Sequence, residues 1–227
     1  MMILASSSPS RLSILRSAGI EPTIEPPTVD ENAILRRVQD QSPEQQVCVL
    51  AHAKASAIAA RHLTAVHPPY EFATPGQSST SDDTTTRPRV VIGADSMLYL
   101  DGELQGKPHT IDETIRRWTI QRGKTARLIT GHCIINLAST ATNEDTVLEA
   151  TTTTVHFANV SDADIRAYAN SGEPLYCAGA FTLEAMGGWF IDRIEGDPSS
   201  VIGLSLPLVR RALYRFGYHV ADFWNCT

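Results

Sequence analysis

Apolar and polar positions alternate in short blocks along this chain, and the period changes from block to block. Met2 to Ala5 is an apolar run closed by Ser6-Ser7-Ser8-Pro9, which predicts a buried strand and then a turn. Ser8 suits an N-cap and Pro9 the first helical position. Leu12, Leu15 and Ala18 supply a partial apolar stripe, and Gly19 can end that helix. Ile24 to Val29 is interrupted by prolines and reads as extended chain leading to Asp30-Glu31. Ser42 with Gln45 makes a capping-box pattern before a second helix. Its apolar face carries Val47, Leu50, Ala51, Ala55 and Ile58, and Lys54 falls on that same face.

Further on, Val90-Val91-Ile92 predicts a buried strand ending at Gly93-Ala94-Asp95-Ser96, with another strand over Met97 to Leu100. Asp101-Gly102 is a strong hairpin signal leading into Glu103 to Pro108. Thr110 with Glu113 opens a helix that Gly123 closes. Strands are expected over 126–137 and 147–157, and Ser161 with Asp164 begins a helix ending near Gly172. Residues 178–194 read as strand, turn at Gly187-Gly188, strand, and Pro207 to Phe216 as the last helix. Strands and helices alternating in this way predict an α/β fold around a mixed sheet. From about His62 to Arg89 apolar residues thin out. Pro68-Pro69, Pro75-Gly76 and the run Ser78 to Thr86 predict a flexible surface insertion over 62–89.

Composition narrows the function classes. The 227 residues are 42% hydrophobic and 19% charged, enough to bury a core and too apolar for global disorder. Lysine and arginine total 19 against 25 acidic residues, a net charge of −6, which argues against a nucleic-acid binder. Cys48, Cys133, Cys177 and Cys226 show no C-x-x-C spacing and read as ordinary thiols of a reducing compartment. The N-terminus lacks the pattern of a signal peptide, and no apolar run approaches the ~20 residues of a membrane helix. The expectation is a cytoplasmic protein without membrane contact.

Three places can carry chemistry. The serine-rich turn offers helix N–H groups and hydroxyls to an anion, with Arg11 adding a guanidinium in the first turn. A capped helix with a solvent-exposed arginine explains the same residues. Asp95, read at a strand end, can hold a divalent metal or act as a base on water, or can be a turn aspartate bonded to nearby N–H groups. Lys54 either snorkels to water or meets an anion in a cleft. Lys107, between Gly106 and Pro108, and Glu31 are ambiguous alone. Together these residues are the parts of a phosphate-and-metal site. No G-x-S-x-G, Walker A or G-x-G-x-x-G pattern is present.

These motifs, in their order, resemble the Maf proteins, nucleoside triphosphate pyrophosphatases linked by name to septum formation. The matching stretches include Leu4 to Arg11, Val29-Asp30-Glu31, Leu50 to Ala55, Ile92 to Ser96 and Asp101 to Pro108. Thr130-Gly131, Gly172 to Leu175, Ala178 to Phe181, Ile194 to Asp197 and Val201 to Leu204 continue them, so the likeness spans nearly the whole chain outside the insertion. The resemblance implies one Maf-like domain over 1–227. Its fold would be an elongated mixed-sheet α/β architecture similar to inosine triphosphate pyrophosphatases, with two lobes around a cleft. It implies hydrolysis of a nucleoside triphosphate between the α and β phosphates with a divalent metal, usually Mg2+ and alternatively Mn2+. Asp95 would activate water and, with Glu31, hold the metal. Lys54 and Lys107 would act in catalysis, and Ser6, Arg11, Lys54 and Lys107 would bind the triphosphate. A homodimer follows by analogy.

Ser10, Ser96 and Glu184 occupy the places tied to base preference in the family. Ser10 stands where the pyrimidine subgroup has arginine and the 7-methylguanosine subgroup tryptophan. Ser96 replaces a threonine of the pyrimidine subgroup, and Glu184 a glutamine. A carboxylate only accepts hydrogen bonds, so Glu184 favours a base edge that presents donors and argues against dTTP or UTP. Tyr176 stands where aspartate is frequent. Two other readings are a hydrolase of another phosphoanhydride and a division-arrest factor acting through protein contacts.

Overall fold

The computed structural model describes residues 1–64, 89–137 and 145–225. The part of the expected insertion beyond Thr64 and before Arg89 lies outside the described residues, as does Cys226. The first elements follow the sequence pattern: β1 (Met2–Leu4), α1 (Pro9–Ser17) capped by Ser8, and β2 (Thr23–Ile24). Next comes a helix the sequence reading did not contain, α2 (Glu31–Val38), whose N-cap Asp30 accepts a hydrogen bond from the Ala33 N–H at 2.9 Å. Helix α3 (Pro43–Thr64) starts with the expected reciprocal box, Ser42 N–H to Gln45 Oε1 at 3.0 Å and Gln45 N–H to Ser42 Oγ at 3.3 Å.

The strand expected to end at Gly93-Ala94-Asp95-Ser96 does not end there. Val90 to Leu100 is a single strand, β3, and Asp95 sits in its middle rather than at a strand end. The reason is tertiary: from Val90 to Tyr99 every residue of β3 pairs antiparallel with β5 (Thr125–Asn136), so Gly93 does not break the ladder. The hairpin at Asp101-Gly102 forms with φ of 50° and 90°, both left-handed as a type I′ turn needs, and leads to β4 (Glu103–Gln105). Helix α4 (Ile111–Gln121), β6 (Thr146–Phe157) and α5 (Asp162–Asn170) follow as expected.

The stretch read as strand, glycine turn, strand is also different. Residues 173–190 form three short 3-10 turns, and only β7 (Ile191–Glu195) is a strand. Gly179 and Ala180 have φ of 68° and 59°, which no strand accommodates. A short α6 (Pro198–Ile202), also absent from the sequence reading, precedes α7 (Leu206–Arg215).

The seven strands make one mixed sheet of order β2-β1-β3-β5-β6-β7, with β4 on β3. Both pairs of β1 are parallel and the others antiparallel. On one face lies α3. A Cβ on Gly131 would sit 2.4 Å from Val47 O, and one on Gly93 2.5 Å from Ala51 O, so these glycines let the helix backbone rest directly on the sheet. The other face carries two apolar clusters. One packs Leu4, Ile92, Ala94 and Ile134 against α1 and α7, the other Leu98, Leu128 and Val155 against α4 and α5. Trp118 anchors the second, edge-on to Phe157, Tyr168 and Phe190. Between the clusters the cross-strand row Ser96, Thr130, Thr151 is polar.

His132 ties α7 to this face. It is fully buried, and its Nε2 accepts the Ser205 N–H at 2.8 Å at the start of α7. Burial, helped by the Arg11 charge, pulls its pKa down to about 4.

Two outcomes are expected. Gly131→Ala should lower stability in urea unfolding by about 2 kcal/mol, the scale of overpacking; an unchanged midpoint would show that α3 can lift freely. For His132 the unfolded chain binds the proton more tightly, so its contribution is complete above pH 6.5 and is lost as pH falls towards about 4. That loss amounts to roughly 3 kcal/mol. His132→Gln should flatten the stability profile across this window, and an equally steep profile would assign the acid sensitivity to other groups.

Candidate active site

The site arises where the sheet is incomplete. On one edge of β3, β1 pairs with Val90 to Ile92 and β4 with Leu98 to Leu100. Between them no strand of the described residues covers residues 93–97. Chain leaving β1 after the Ala5 N–H to Ile92 O bond of 2.8 Å turns away at Ser6. Alternation along β3 then sends Asp95 to the α3 face and Ser96 to the α1 face at the same opening.

On the α3 face Lys54 is buried between two carboxylates. Its Nζ lies 2.5 Å from Asp95 Oδ1 and 2.9 Å from Glu31 Oε1. The Lys54 and Asp95 side chains are 9% and 10% exposed, that of Glu31 49%. An ammonium so desolvated needs a close counter-charge, and Asp95 supplies it from the sheet. Asp95 Oδ2 is buried and has no hydrogen-bond partner among the described residues. An orphaned carboxylate oxygen beside a cleft is an acceptor held ready for a proton, a water or a cation.

On the opposite face Arg11 turns inward from the first turn of α1. Its Nε donates to Gly203 O at 2.8 Å, Nη1 to Ser6 Oγ at 3.2 Å and Nη2 to Ser96 Oγ at 3.3 Å. Burial lowers its pKa, and Asp95 and Glu31 pull it back up. Three of its five N–H donors are committed, leaving two for a ligand. The hydroxyls behind it run in one direction. Thr130 donates to Ser200 O at 3.0 Å, so Ser96 donates to Thr130 at 2.9 Å and offers the cleft an acceptor. A Thr151–Ser200 hydroxyl contact closes the row.

Lys107 is placed from a third direction. Gly106 O just before it accepts Gly179 N–H at 3.2 Å and Arg117 Nη1 at 2.6 Å. After it, His109 N–H bonds Leu175 O at 2.9 Å, with His109 in a left-handed φ of 63°. Such strain in a non-glycine persists only where neighbours enforce it.

Two cavities meet at Asp95, Ser96 and Lys107. The first, about 610 Å³ including its mouth to solvent, is also lined by Ser8, Ser10, Arg11, Lys54, Thr182 and Glu184, with exposed Tyr176 at its wall. The second, about 1220 Å³ and open to solvent, adds Glu31, Arg36, Gln46 and His109. The fold therefore gathers Ser10, Arg11, Lys54, Asp95, Ser96, Lys107 and Glu184 around one cavity. Ser6 does not line it; it is buried beneath as a strut for Arg11. Glu31 reaches the site through Lys54 and lines the second cavity. The sequence reading missed Thr182 and the Gly203 carbonyl, although both fall in or beside stretches the motifs marked. Among the described residues no three His, Cys, Asp or Glu side chains converge as a ready-made metal cage. Cys177 at the cavity wall is no thiolate, since burial pushes its pKa up to about 11, and Cys133 reaches about 12. Cys48, Cys133 and Cys177 are free thiols. No described helix is long and apolar enough to cross a membrane.

Lys54→Met should destabilise the protein by about 3 kcal/mol, the lower end for stranding one member of a buried ion pair. Adding Asp95→Asn should recover most of that loss in a double-mutant cycle by urea unfolding. Additive losses would mean that the two side chains do not depend on each other.

Comparison with known sequences shows the family. Residues 1–216 match the profile of the family described as Maf-like protein. The chain is 59% identical to a nucleoside triphosphate pyrophosphatase of Corynebacterium diphtheriae, covering 99% of this chain and 98% of that one. It is 57% identical to one of Corynebacterium aurimucosum, over 98% of each, and 47% identical to one of Rhodococcus jostii, over 98% of this chain and 95% of that one. A match over almost the full length, together with the clustering of its motif residues at one opening in the sheet, places this chain in the Maf-like protein family.

Proposed function

We propose that this protein is a nucleoside triphosphate pyrophosphatase, which hydrolyses the anhydride between the α and β phosphates and releases monophosphate and pyrophosphate. The observation that carries the reading is the buried Lys54 between Asp95 and Glu31, with Asp95 Oδ2 left unpartnered beside the cavity. Its relatives carry that activity as their name. In the proposed division of work, Arg11, Lys54 and Lys107 neutralise the triphosphate from three sides, and Ser8 and Ser10 offer hydroxyls at the start of α1. Asp95 Oδ2 takes the proton of the attacking water while Oδ1 keeps Lys54 in place.

Glu31 and Asp95 are the residues that would hold a divalent cation, Mg2+ or Mn2+. Two carboxylates, one with an orphaned oxygen, suit a hard cation that takes its remaining ligands from water and phosphates. When bound, such a cation supplies further neutralisation of phosphate charge. Glu184 and Ser10 on the cavity wall would read the base. Glu184 Oε2 already accepts the Leu183 N–H at 3.1 Å, and an acceptor there favours a donor-bearing, guanine-type edge over that of dTTP or UTP. The enzyme would work in the cytoplasm on the nucleotide pool.

A screen of common, methylated and deaminated nucleoside triphosphates with Mg2+ tests this, with pyrophosphate and orthophosphate read separately. The wild type should release pyrophosphate, chelation of the metal should stop it, and Asp95→Asn should reduce kcat by about 10²–10⁴-fold. Orthophosphate alone would point to another phosphoanhydride hydrolase. A clear dTTP or UTP preference would sink the role assigned to Glu184.

A further inference from the structure

Residues 173–190 form a wall of the first cavity and carry Tyr176, Thr182 and Glu184, yet they contain only three short 3-10 turns. A segment without a ladder or a helix needs another source of fixed shape. One carboxylate supplies it. Glu173 Oε1 accepts the Thr182 hydroxyl at 2.5 Å, the Tyr168 hydroxyl at 3.1 Å and the Gly187 N–H at 3.1 Å, while Oε2 accepts the Met186 N–H at 3.2 Å. Burial pushes this carboxyl up, and the four hydrogen bonds together overcome it and keep the group ionised.

The donors bracket Glu184. Thr182 lies two residues before it, and Met186 and Gly187 two and three residues after. The bracket is reinforced, since Gly187 N–H also bonds Thr182 Oγ1 at 3.1 Å and Thr182 N–H bonds the Tyr168 hydroxyl at 3.2 Å. Gly187 has to be glycine: a Cβ there would lie 2.5 Å from both Thr182 O and the Tyr168 hydroxyl. Tyr168 in turn is locked edge-on to Trp118 and Phe190 in the second apolar cluster. The bracket is thus bolted to the core.

We infer that Glu173 is a positioning residue for base recognition: its carboxylate fixes the 182–187 turn so that Glu184 faces the cavity. It sets affinity for the nucleoside half of the substrate and leaves the phosphate half unaffected. The inference rests on the pyrophosphatase reading. The phosphate-side cations hang on other supports, Arg11 on α1 and Gly203, Lys54 on α3. Lys107 meets this segment only through bonds at Leu175 and Gly179, before the bracketed turn, and Arg117 holds Gly106 independently.

The test is calorimetric binding with Mg2+, using inorganic pyrophosphate and the monophosphate of the triphosphate that the wild type turns over fastest. Glu173→Gln should weaken the monophosphate by about tenfold, the scale of a lost charge-assisted hydrogen bond. Pyrophosphate affinity should stay within about twofold, and the variant should raise KM more than it lowers kcat. Tyr168→Phe removes one donor to Glu173 and the acceptor of the Thr182 N–H, keeps the ring packing and should move the same quantities in the same direction. It carries the test if Glu173→Gln fails to fold. Equal weakening of both ligands, or no weakening of the monophosphate, overturns the proposal. A wild type that turns over no triphosphate would instead defeat the enzymatic reading, and would do so before any variant is made.

Discussion

A lysine ammonium held out of water beneath a sheet is the constraint around which this protein is arranged. Lys54 sits on the apolar face of α3 between Leu50 and Ile58, and its desolvation is tolerable only because Asp95 and Glu31 meet it. That demand reaches far. Helix α3 must lie close enough for a lysine to reach the sheet, and Gly131, the cross-strand partner of Asp95, and Gly93 make the approach possible. Glu31 must come from α2, which packs beside α3. The arrangement leaves Asp95 with one oxygen spent on Lys54 and one unspent, a local deficit that a stability-optimised core would not keep.

The opening in the sheet turns this pair into a site. A strand exposes alternate residues to opposite faces, so neighbours such as Asp95 and Ser96 ordinarily serve different compartments. Here β1 ends and β4 has not begun, and both faces reach the same opening. The polar row from Arg11 through Ser96 and Thr130 to Ser200 lies between two apolar clusters, and the clusters fix its ends. The hydroxyls are thereby preorganised by packing on either side of them, which is how a site keeps its geometry before a ligand arrives.

The third wall is built by a different principle. Irregular chain over residues 173–190 takes its form from side-chain acceptors rather than from a ladder, with Glu173 at the centre and Tyr168 joining it to the core. The same segment holds the backbone on either side of Lys107 through Gly106 and His109. Within this wall Glu173 holds the 182–187 turn, and Leu175 and Gly179 hold the chain around Lys107.

Much of this was legible from local pattern. The caps at Ser8, Ser42, Thr110 and Ser161, the turn at Asp101-Gly102 and the long strands β5 and β6 depend on bonds between near neighbours or on runs rich in apolar and β-branched residues, so the sequence by itself determined them. The oddity of Lys54 on an apolar face and the identity of the motif residues were equally visible. Only the tertiary structure decided that β3 runs unbroken through Gly93, because the pairing with β5 outweighs a local break. Only it decided that residues 178–190 abandon the strand and glycine turn read there, because left-handed backbone at Gly179 and Ala180 and the Glu173 bonds shape them instead. The edge that β1 and β4 leave uncovered is the clearest case. No residue encodes it, since it is the space between two strands that pair elsewhere along the same neighbour, and the chemistry of Asp95 depends on that space.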